Sequence, residues 1–274
     1  MKKFVLILGY LILIAIALSM LFPFFAMLKL ALTPQDEIFK NMNNLFSMNF
    51  TFENFKHVFG AIPVTRFFIN SMIVALFTTF GQVILSSLAG YSFARLNFKH
   101  KDFWFLVVLI TMMVPPQVNI IPLFFLMREL NLVDTYPALI LPGLFGGFGI
   151  FLTRQYFLSL PKDLEEAAKI DGCNLFQTFF KIALPLALPV VVTLAIFTFV
   201  TTWNSFMWPL IITNSESMRT LPVGLAIFKG SFREITLWGD LLACSVICTI
   251  PVIAIFFLGK KYFLSDLLSG AVKE

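Results

Sequence analysis

The chain has 274 residues, of which 59% are hydrophobic and only 13% are charged. A soluble domain averages about 45–50% apolar and about 25% charged residues, so this composition excludes a soluble globular protein and indicates an integral membrane protein. The net charge of +5 favours loops held on the cytoplasmic side of a membrane over nucleic-acid binding. Three cysteines and two isolated histidines suggest neither a disulfide framework nor a metal-binding site.

Hydrophobic runs predict an all-α membrane protein with six transmembrane helices in one domain over residues 1–274. The first run starts after Met1–Lys3 and continues to about Leu28, which is long enough to span the membrane and argues against a cleaved signal peptide. A polar outer segment follows at residues 33–66. The other predicted spans cover about 68–93, 103–125, 138–152, 188–211 and 241–258.

Prolines and glycines predict irregular spans. Pro115, Pro116 and Pro122 should kink or break the third span within the membrane. In the fourth span, Gly143 and Gly147 form a small-xxx-small pair that permits close helix approach.

The distribution of basic residues predicts the orientation. Twelve lysines and arginines fall on the predicted inner segments and eight on the longer outer segments. This bias follows the positive-inside rule, so both termini are expected in the cytoplasm.

The segment between the fourth and fifth spans is the most charged part of the chain. Leu160–Pro185 reads as two short helices joined by a turn, and Pro161 suits the first helical position. Gly172 is expected to end the first helix, since glycine takes a positive φ without strain. Asn174 is expected to cap the second helix, with Gln177 completing a capping box.

One motif in this segment resembles the EAA loop of ABC importer permeases. Its fixed positions are Glu166-Ala167-Ala168, Gly172 and Ile182-x-Leu184-Pro185. The resemblance implies a cytoplasmic coupling helix, within a loop over about 158–187, that docks into a groove of an ATP-binding subunit. The alternative is a cytoplasmic linker that merely resembles the motif. The predicted coupling residues are Glu165, Glu166, Ala167, Ala168, Asp171, Gly172, Ile182, Leu184 and Pro185.

The chain carries no obvious energy-coupling chemistry of its own. The predicted apolar cores of the spans contain no ionisable residue, and the sequence lacks a phosphate-binding loop of the G-x-x-x-x-G-K-[ST] type. We therefore expect this chain not to be an enzyme and to bind no cofactor. ATP and Mg²⁺ would be bound by partner subunits.

Polar residues within two spans form stripes at helical spacing. Such a neutral surface with an aromatic ring suits an uncharged polyol, although serine, threonine and asparagine also mediate helix packing in membranes. Trp203 faces elsewhere and is expected to anchor at the membrane interface. The candidate pathway residues are Thr201, Asn204, Ser205 and Trp208 in the fifth span and Ser71, Thr78 and Gln82, with Ser86, in the second.

Over nearly its whole length the chain resembles the maltose-type, carbohydrate-uptake ABC permeases, in particular their smaller six-span subunit. Strings that carry the resemblance are Asn70-Ser71, Gly90–Arg95, Met113–Pro115, Trp203-Asn204 and Ser269–Glu274. Gly90 departs from the alanine that is usual in the family. The implied protein is a multi-pass subunit in the cytoplasmic (inner) membrane of a prokaryote that imports a sugar or oligosaccharide.

The same resemblance implies a second permease in a heterodimer, two ATP-binding subunits and an extracytoplasmic solute-binding protein. The remaining contacts would be with membrane lipid, and nucleic acid is not expected as a partner.

Two alternative functions stay open. One is an ABC permease for another solute, such as a phosphorylated polyol, a peptide or a polyamine. The other is a secondary carrier or a structural membrane protein.

Overall fold

A computed structural model of the protein describes residues 2–38, 49–231 and 237–271. The regular elements within these ranges are helices, which confirms the all-α prediction. The α-helices are α1 (Lys2–Ala31), α2 (Glu53–Ala61), α3 (Val64–Arg95), α4 (Lys101–Met113), α5 (Ile120–Glu129), α6 (Tyr136–Ile140), α7 (Gly147–Ser159), α8 (Asp163–Ile170), α9 (Leu175–Thr178), α10 (Leu184–Leu186), α11 (Leu188–Trp203), α12 (Met207–Ile212), α13 (Leu221–Ser231) and α14 (Trp238–Ala271).

The spans agree in number with the prediction if each bent helix pair is counted once. In the described part of the chain, α1, α3 and α14 each contain a stretch long and apolar enough to cross a membrane. Three further helix pairs pass the same test when each pair is taken together. The bend is 93° between Lys101–Met113 and Pro116–Glu129, 41° between Tyr136–Gly143 and Gly147–Ser159, and 77° between Leu175–Leu186 and Leu188–Trp203.

The predicted break in the third span is confirmed. Helix α4 ends at Met113, and the chain turns at Pro115 before a 3₁₀ turn that begins at Pro116. Proline lacks the amide hydrogen that would continue the helix, and it disfavours helical geometry in the residue before it. Pro122 lies inside α5, close to the helix start, and does not interrupt it.

The glycine-rich fourth span is also broken, and the predicted Gly143–Gly147 face is wrong. Gly143 ends a 3₁₀ turn after α6, whereas Gly147 is the first residue of α7. A side-chain carbon at Gly143 would meet Thr78 of α3, whereas one at Gly147 would meet Thr111 and Met112 of α4. The two glycines therefore make room for different neighbours.

The sequence predicted one helix over residues 188–211 for the fifth span, but the structure contains two. Helix α11 ends at Trp203, Asn204 is its cap, and α12 begins only at Met207. Pro209 accounts for the interruption, because it cannot donate to the carbonyl of Ser205 and its ring would clash with that carbonyl in a continuous helix. The sequence thus contained a signal for this break.

The chain divides into two compact units, and the prediction of a single domain stays a prediction. The first unit comprises the residues up to Phe67 with Leu221–Pro251. Its buried Asn54 donates from Nδ2 to the carbonyl oxygens of Ala31 and Thr33, each over 2.8 Å. His57 pairs with the buried carboxylate of Asp240, which joins α2 to the start of α14.

The second unit comprises Phe68–Thr220 with the residues from Val252 onward. One of its apolar clusters joins α3, α7 and the segment that leads into α11; its buried members are Tyr91, Phe157, Phe179, Ala183, Ala187 and Val190. Another joins α3 to α5, α6 and α12 through Val74, Met127, Ala138, Leu139 and Ile212. These two clusters lie beside the two groups of predicted functional residues.

Candidate functional site

The predicted coupling segment forms two helices joined by a glycine turn. Helix α8 ends at Ile170, and Gly172 has a φ of +81°. The Gly172 amide donates to the carbonyl of Lys169 over 3.1 Å, and that of Cys173 donates to Ala168 over 2.9 Å. This pair of bonds is a Schellman motif, which explains why glycine occupies the position. Pro161 was wrongly expected at the first helical position, since it precedes the cap Lys162.

The second helix begins with the predicted capping box. The amide of Gln177 donates to Oδ1 of Asn174, and the amide of Asn174 donates to Oε1 of Gln177, each over 2.9 Å. Helix α9 then passes into a π-helical turn at Phe179–Ala183 and into α10. The bend of 77° into α11 falls at Ala187, whose side chain is fully buried.

The predicted coupling residues separate into exposed and buried sets. Glu166, Ala167, Asp171, Gly172 and Pro185 are exposed. Ala168 is buried, and Ile182 and Leu184 are half-buried. Large apolar side chains also stand out of this segment, above all Ile170 (87% exposed) and Phe176 (67% exposed). The segment thus presents a mixed surface of one carboxylate, small residues and apolar side chains.

Glu165 is buried, unlike its neighbour Glu166. Its Oε1 accepts a hydrogen bond from Nε of Arg95 over 2.7 Å, and its Oε2 accepts one from the hydroxyl of Tyr91 over 3.3 Å. Both partners belong to the end of α3. The carboxylate of Glu165 is therefore engaged within the chain, apart from the exposed residues that were predicted with it.

A second group of predicted residues meets where α3, α6 and α12 approach one another. Ser71, Ser205 and Trp208 line a small cavity of about 30 Å³, together with Thr202 and Thr220. The indole Nε1 of Trp208 donates to the carbonyl of Ala138 over 3.0 Å, which holds the ring against α6. The polar side chains that line the cavity are uncharged. Its volume admits about one or two water molecules, and a sugar does not fit into it as it stands.

Comparison with known proteins decides the family. A family model described as binding-protein-dependent transport system inner membrane component matches residues 82–267. The chain belongs to this family. It is accordingly a membrane permease subunit of an ABC importer.

Relatives of this permease align over almost their whole lengths. The arabinooligosaccharides transport system permease protein AraQ of Halalkalibacterium halodurans is 37% identical over 94% of this chain and 93% of its own. The trehalose/maltose transport system permease protein MalG of Thermococcus litoralis is 36% identical over 100% and 98%. The sn-glycerol-3-phosphate transport system permease protein UgpE of Yersinia enterocolitica is 30% identical over 92% of each.

The fold of the permease agrees with a solved structure. A chain from the crystal structure of a bacterial ABC transporter involved in the import of the acidic polysaccharide alginate superposes with a TM-score of 0.82 at 23% identity. The superposition covers 96% of this chain and 97% of that one. This likeness shows that the permease has the ABC importer permease fold.

The predicted stripes of the permease are only partly assembled. Asn204 and Thr201 are exposed and lie outside the cavity, because the break after Trp203 removes them from a common helical face with Trp208. Trp203 was wrongly expected at the membrane interface. It is 1% exposed and stacks on Phe199 with the ring centroids 5.9 Å apart.

Most of the second-span stripe faces glycines. Side-chain carbons added at Gly143, Gly146 and Gly149 would meet Thr78, Gln82 and Ser86, respectively, so these three side chains fill the space that the glycines leave. Only Ser71, one end of the stripe, reaches the cavity. For Thr78, Gln82 and Ser86 the structure favours helix packing over a substrate pathway.

Sequence reasoning missed two residues at the coupling segment and two polar residues at the cavity. Tyr91 and Arg95 contact Glu165 from α3, and Thr202 and Thr220 line the cavity. The sequence does carry a signal for Arg95. It is a cation at the end of an apolar span, and a run of carboxylates follows it 70 residues later. Nothing in the sequence pattern selects Thr220.

Proposed function

We propose that this permease is one of two different permease subunits in a sugar importer, and that its segment over 158–187 transmits ATP-driven motion from ATP-binding subunits. In this assembly the two ATP-binding subunits bind ATP and Mg²⁺, and an extracytoplasmic solute-binding protein delivers the sugar. The chain crosses the inner membrane with both termini in the cytoplasm. Two observations support this proposal: membership of the family, and the geometry of α8 with its glycine turn.

The exposed surface of α8 and α9 is the observation that carries the proposal. Ala167 is exposed and small, so a partner surface can approach the backbone of α8 closely. Glu166 is exposed in the first turn of α8, where its carboxylate can accept a charge-assisted hydrogen bond from a basic residue of an ATP-binding subunit. Ile170 and Phe176 flank the glycine turn and offer apolar area that a groove can bury.

The glycine turn gives this surface its fixed shape. The Schellman bonds hold Gly172 at the end of α8, and the Asn174–Gln177 box fixes the start of α9 immediately afterwards. A displacement of α8 is therefore transmitted through the rigid turn between α8 and α9. The bend at Ala187 connects this part of the segment to α11.

A neutral sugar is the solute that the cavity and the relatives favour. The relatives include permeases named for arabinooligosaccharides and for trehalose and maltose. Hydroxyl groups and an indole line the cavity, and no charged side chain is among the described residues that line it. A phosphorylated polyol, as in the name of the glycerol-3-phosphate relative, would instead require cations near the pathway. The sugar pathway must widen well beyond the present cavity during transport.

Substitution of Gly172 tests the coupling role. A side-chain carbon at this position would have open space around it, so the cost of Gly172→Val is backbone strain at φ +81° alone. Valine is β-branched and tolerates this region poorly, whereas asparagine visits it readily. We expect Gly172→Val to abolish transport by releasing the ATP-binding subunits or by uncoupling hydrolysis, and Gly172→Asn to retain most activity.

The full complex should be purified with each variant, and both subunit retention and transport-linked ATP hydrolysis should be measured. Glu166→Lys should fail as Gly172→Val does, because it reverses the charge offered to the partner. Lys169→Ala, on an exposed position of the same helix, is the matched control and should have a mild effect. Normal retention with normal coupled hydrolysis in Gly172→Val would defeat the coupling assignment.

The orientation is tested separately by labelling single cysteines in whole cells after Cys173, Cys244 and Cys248 are replaced. An impermeant maleimide should label Glu216→Cys, at an exposed predicted outer position, but not Lys99→Cys. Asn44, another predicted outer position, lies outside the described residues, as does Lys273 at the predicted inner end. External labelling at Lys99 or Lys273 would refute the proposed topology.

The solute class is tested with the assembled transporter in proteoliposomes. Solute-binding protein loaded with a neutral oligosaccharide should stimulate ATP hydrolysis, and glycerol phosphate should neither stimulate hydrolysis nor compete. The reverse result would assign a phosphorylated polyol as the solute and would leave the proposed coupling role unchanged.

A further inference from the structure

A buried ion pair joins the end of α3 to the first turn of α8. Nε of Arg95 and Oε1 of Glu165 are 2.7 Å apart, and the two side chains are only 5% and 11% exposed. A buried charge that loses its partner is strongly destabilising, so such a pair resists separation. The other acids in the first turn of α8, Asp163 and Glu166, are exposed.

Arg95 also holds the end of α7. Its Nη2 donates over 2.7 Å to the carbonyl oxygen of Leu160, the cap residue of α7. The guanidinium group thus uses two nitrogens on two different elements, and its planar fork fixes their relative direction. One side chain of α3 therefore contacts both the end of α7 and the first turn of α8.

Tyr91 completes the connection one helical turn before Arg95. Its hydroxyl donates to Oε2 of Glu165 over 3.3 Å. Its ring packs on Phe157 of α7 and on Phe179 of the π-helical turn, with centroid distances of 5.4 and 5.1 Å. Both oxygens of Glu165 are consequently occupied by groups of α3, and Tyr91 links the pair to the aromatic cluster.

We propose that Arg95 and Glu165 are positioning residues that tie the coupling helix α8 to α3, so that displacement of α8 by an ATP-binding subunit moves α3. This inference rests on the proposed docking of α8 but assigns a different task to a different carboxylate. Glu166 faces the partner, and Glu165 faces its own chain. Without the tie, α8 moves against the rest of the permease, and ATP hydrolysis no longer drives transport.

Helix α3 can carry the displacement to the other group of candidate residues. It is one continuous helix from Val64 to Arg95, and it contributes Ser71 to the cavity that contains Trp208. At 1.5 Å per residue, Ser71 and Arg95 lie about 36 Å apart along the helix. A push at the Arg95 end therefore reaches the cavity through a single element.

The test uses the complete transporter in proteoliposomes and measures subunit retention, ATP hydrolysis and solute moved per ATP. Glu165→Gln should retain the ATP-binding subunits, since the exposed docking face is unchanged, while solute moved per ATP falls by roughly fivefold or more. Arg95→Lys keeps the charge but loses the fork, so it should give an intermediate ratio. Asp163→Asn removes an exposed acid from the same turn and is the matched control that should leave the ratio unchanged.

Two double variants separate coupling from stability. Arg95→Met with Glu165→Leu removes both charges and fills the space with apolar groups, a change that buried ion pairs often tolerate. This variant should fold and retain its subunits, yet the amount of solute moved per ATP should stay low. The exchanged pair, Arg95→Glu with Glu165→Arg, should recover part of the lost ratio.

A wild-type ratio in the double apolar variant would overturn the proposal, because the pair would then serve stability alone. Loss of ATP-binding subunits from a folded Glu165→Gln variant would also overturn it, by placing Glu165 in the docking surface. Failure of the docking proposal itself is recognised independently, by normal coupling in Gly172→Val.

Discussion

The hydroxyl of Tyr136 donates to Oδ1 of Asn70 over 2.6 Å. Asn70 in turn donates from Nδ2 to the carbonyl oxygens of Ser217 and Arg219, over 2.9 and 2.8 Å. One amide, only 1% exposed, therefore joins α3 and α6 to the loop between α12 and α13. A serine or threonine is too short to make all three bonds at once.

Asn70→Ala should therefore destabilise the permease by about 2–4 kcal/mol, since it leaves two carbonyls and a hydroxyl without their partner in a buried site. Tyr136→Phe removes only one of the three bonds and should cost about 1 kcal/mol. Thermal unfolding of the purified variants in detergent measures both. Equal losses in the two variants would contradict this division of the network.

Asp134 gives the same loop a pH-dependent anchor. Its Oδ1 accepts hydrogen bonds from the backbone amides of Asn214 and Ser215, over 2.9 and 3.0 Å. Burial alone raises the pKa of the Asp134 carboxyl, but hydrogen bonds from Ser215 and Asn214 and the charge of Arg219 outweigh it, and the pKa falls below the ordinary 3.8.

A lowered carboxyl pKa adds stability above its ordinary value, and this stability is lost as the pH falls through the folded-state pKa. Asp134→Ala should thus lower the unfolding temperature at pH 7, and the difference from wild type should shrink below about pH 4. Asp134→Asn keeps a neutral acceptor and should lose less. A difference that grows on acidification would contradict the assignment.

Gly90 lies at a close approach of α3 to α7. A side-chain carbon there would overlap the hydroxyl of Thr153 and approach the backbone nitrogen of Arg154 to 2.8 Å. The hydroxyl of Thr153 lies 2.8 Å from the carbonyl oxygens of both Ser86 and Gly149, which share its one hydrogen. An alanine at this position therefore does not fit without a shift of α7.

We expect Gly90→Ala to destabilise the permease by about 1–3 kcal/mol through overpacking. Thr153→Ala removes the hydroxyl, so the double variant Gly90→Ala with Thr153→Ala should be less impaired than the sum of the two single variants. Thermal unfolding of all four proteins gives the coupling energy. Strict additivity would mean that the two residues do not compete for space.

Asn204 and Trp208 should behave differently, although the sequence placed them on one stripe. Asn204 is exposed at the break between α11 and α12, whereas Trp208 is held by its bond to Ala138. If Asn204 lines the sugar pathway, Asn204→Leu should reduce sugar uptake about threefold to tenfold, through loss of one hydrogen bond to solute, with normal yield of the complex. Trp208→Phe should lower the yield along with uptake, because it removes a bond within the fold. Equal losses of yield would assign both residues to packing.

The coupling segment was predictable because its signals are local. A glycine at the end of an amphipathic helix and an asparagine three residues before a glutamine determine their own backbone bonds, whatever the rest of the chain does. The pairing of Arg95 with Glu165 was not predictable in this way. It joins residues 70 positions apart, and only the packing of α3 against α7 brings them together.

The spans show the same limit. The apolar helices and the proline break after Met113 followed from the sequence, but the neighbours of each helix face did not, because most positions on every face of these helices are apolar. Pro209 is the sequence signal for the break at Asn204. The stripe containing Thr78, Gln82 and Ser86 was visible, yet its partners are glycines, whose lack of a side chain leaves no pattern of its own.

These glycines also bear on biosynthesis. A chain that is inserted into the membrane as it is made releases α3 before residues 143–149 have been synthesised. During that interval Thr78, Gln82 and Ser86 present hydroxyl and amide groups without the surface that later covers them. The arrival of Gly143, Gly146 and Gly149 closes that surface. A substitution in this short stretch therefore leaves polar groups of α3 without the surface that covers them in the folded permease.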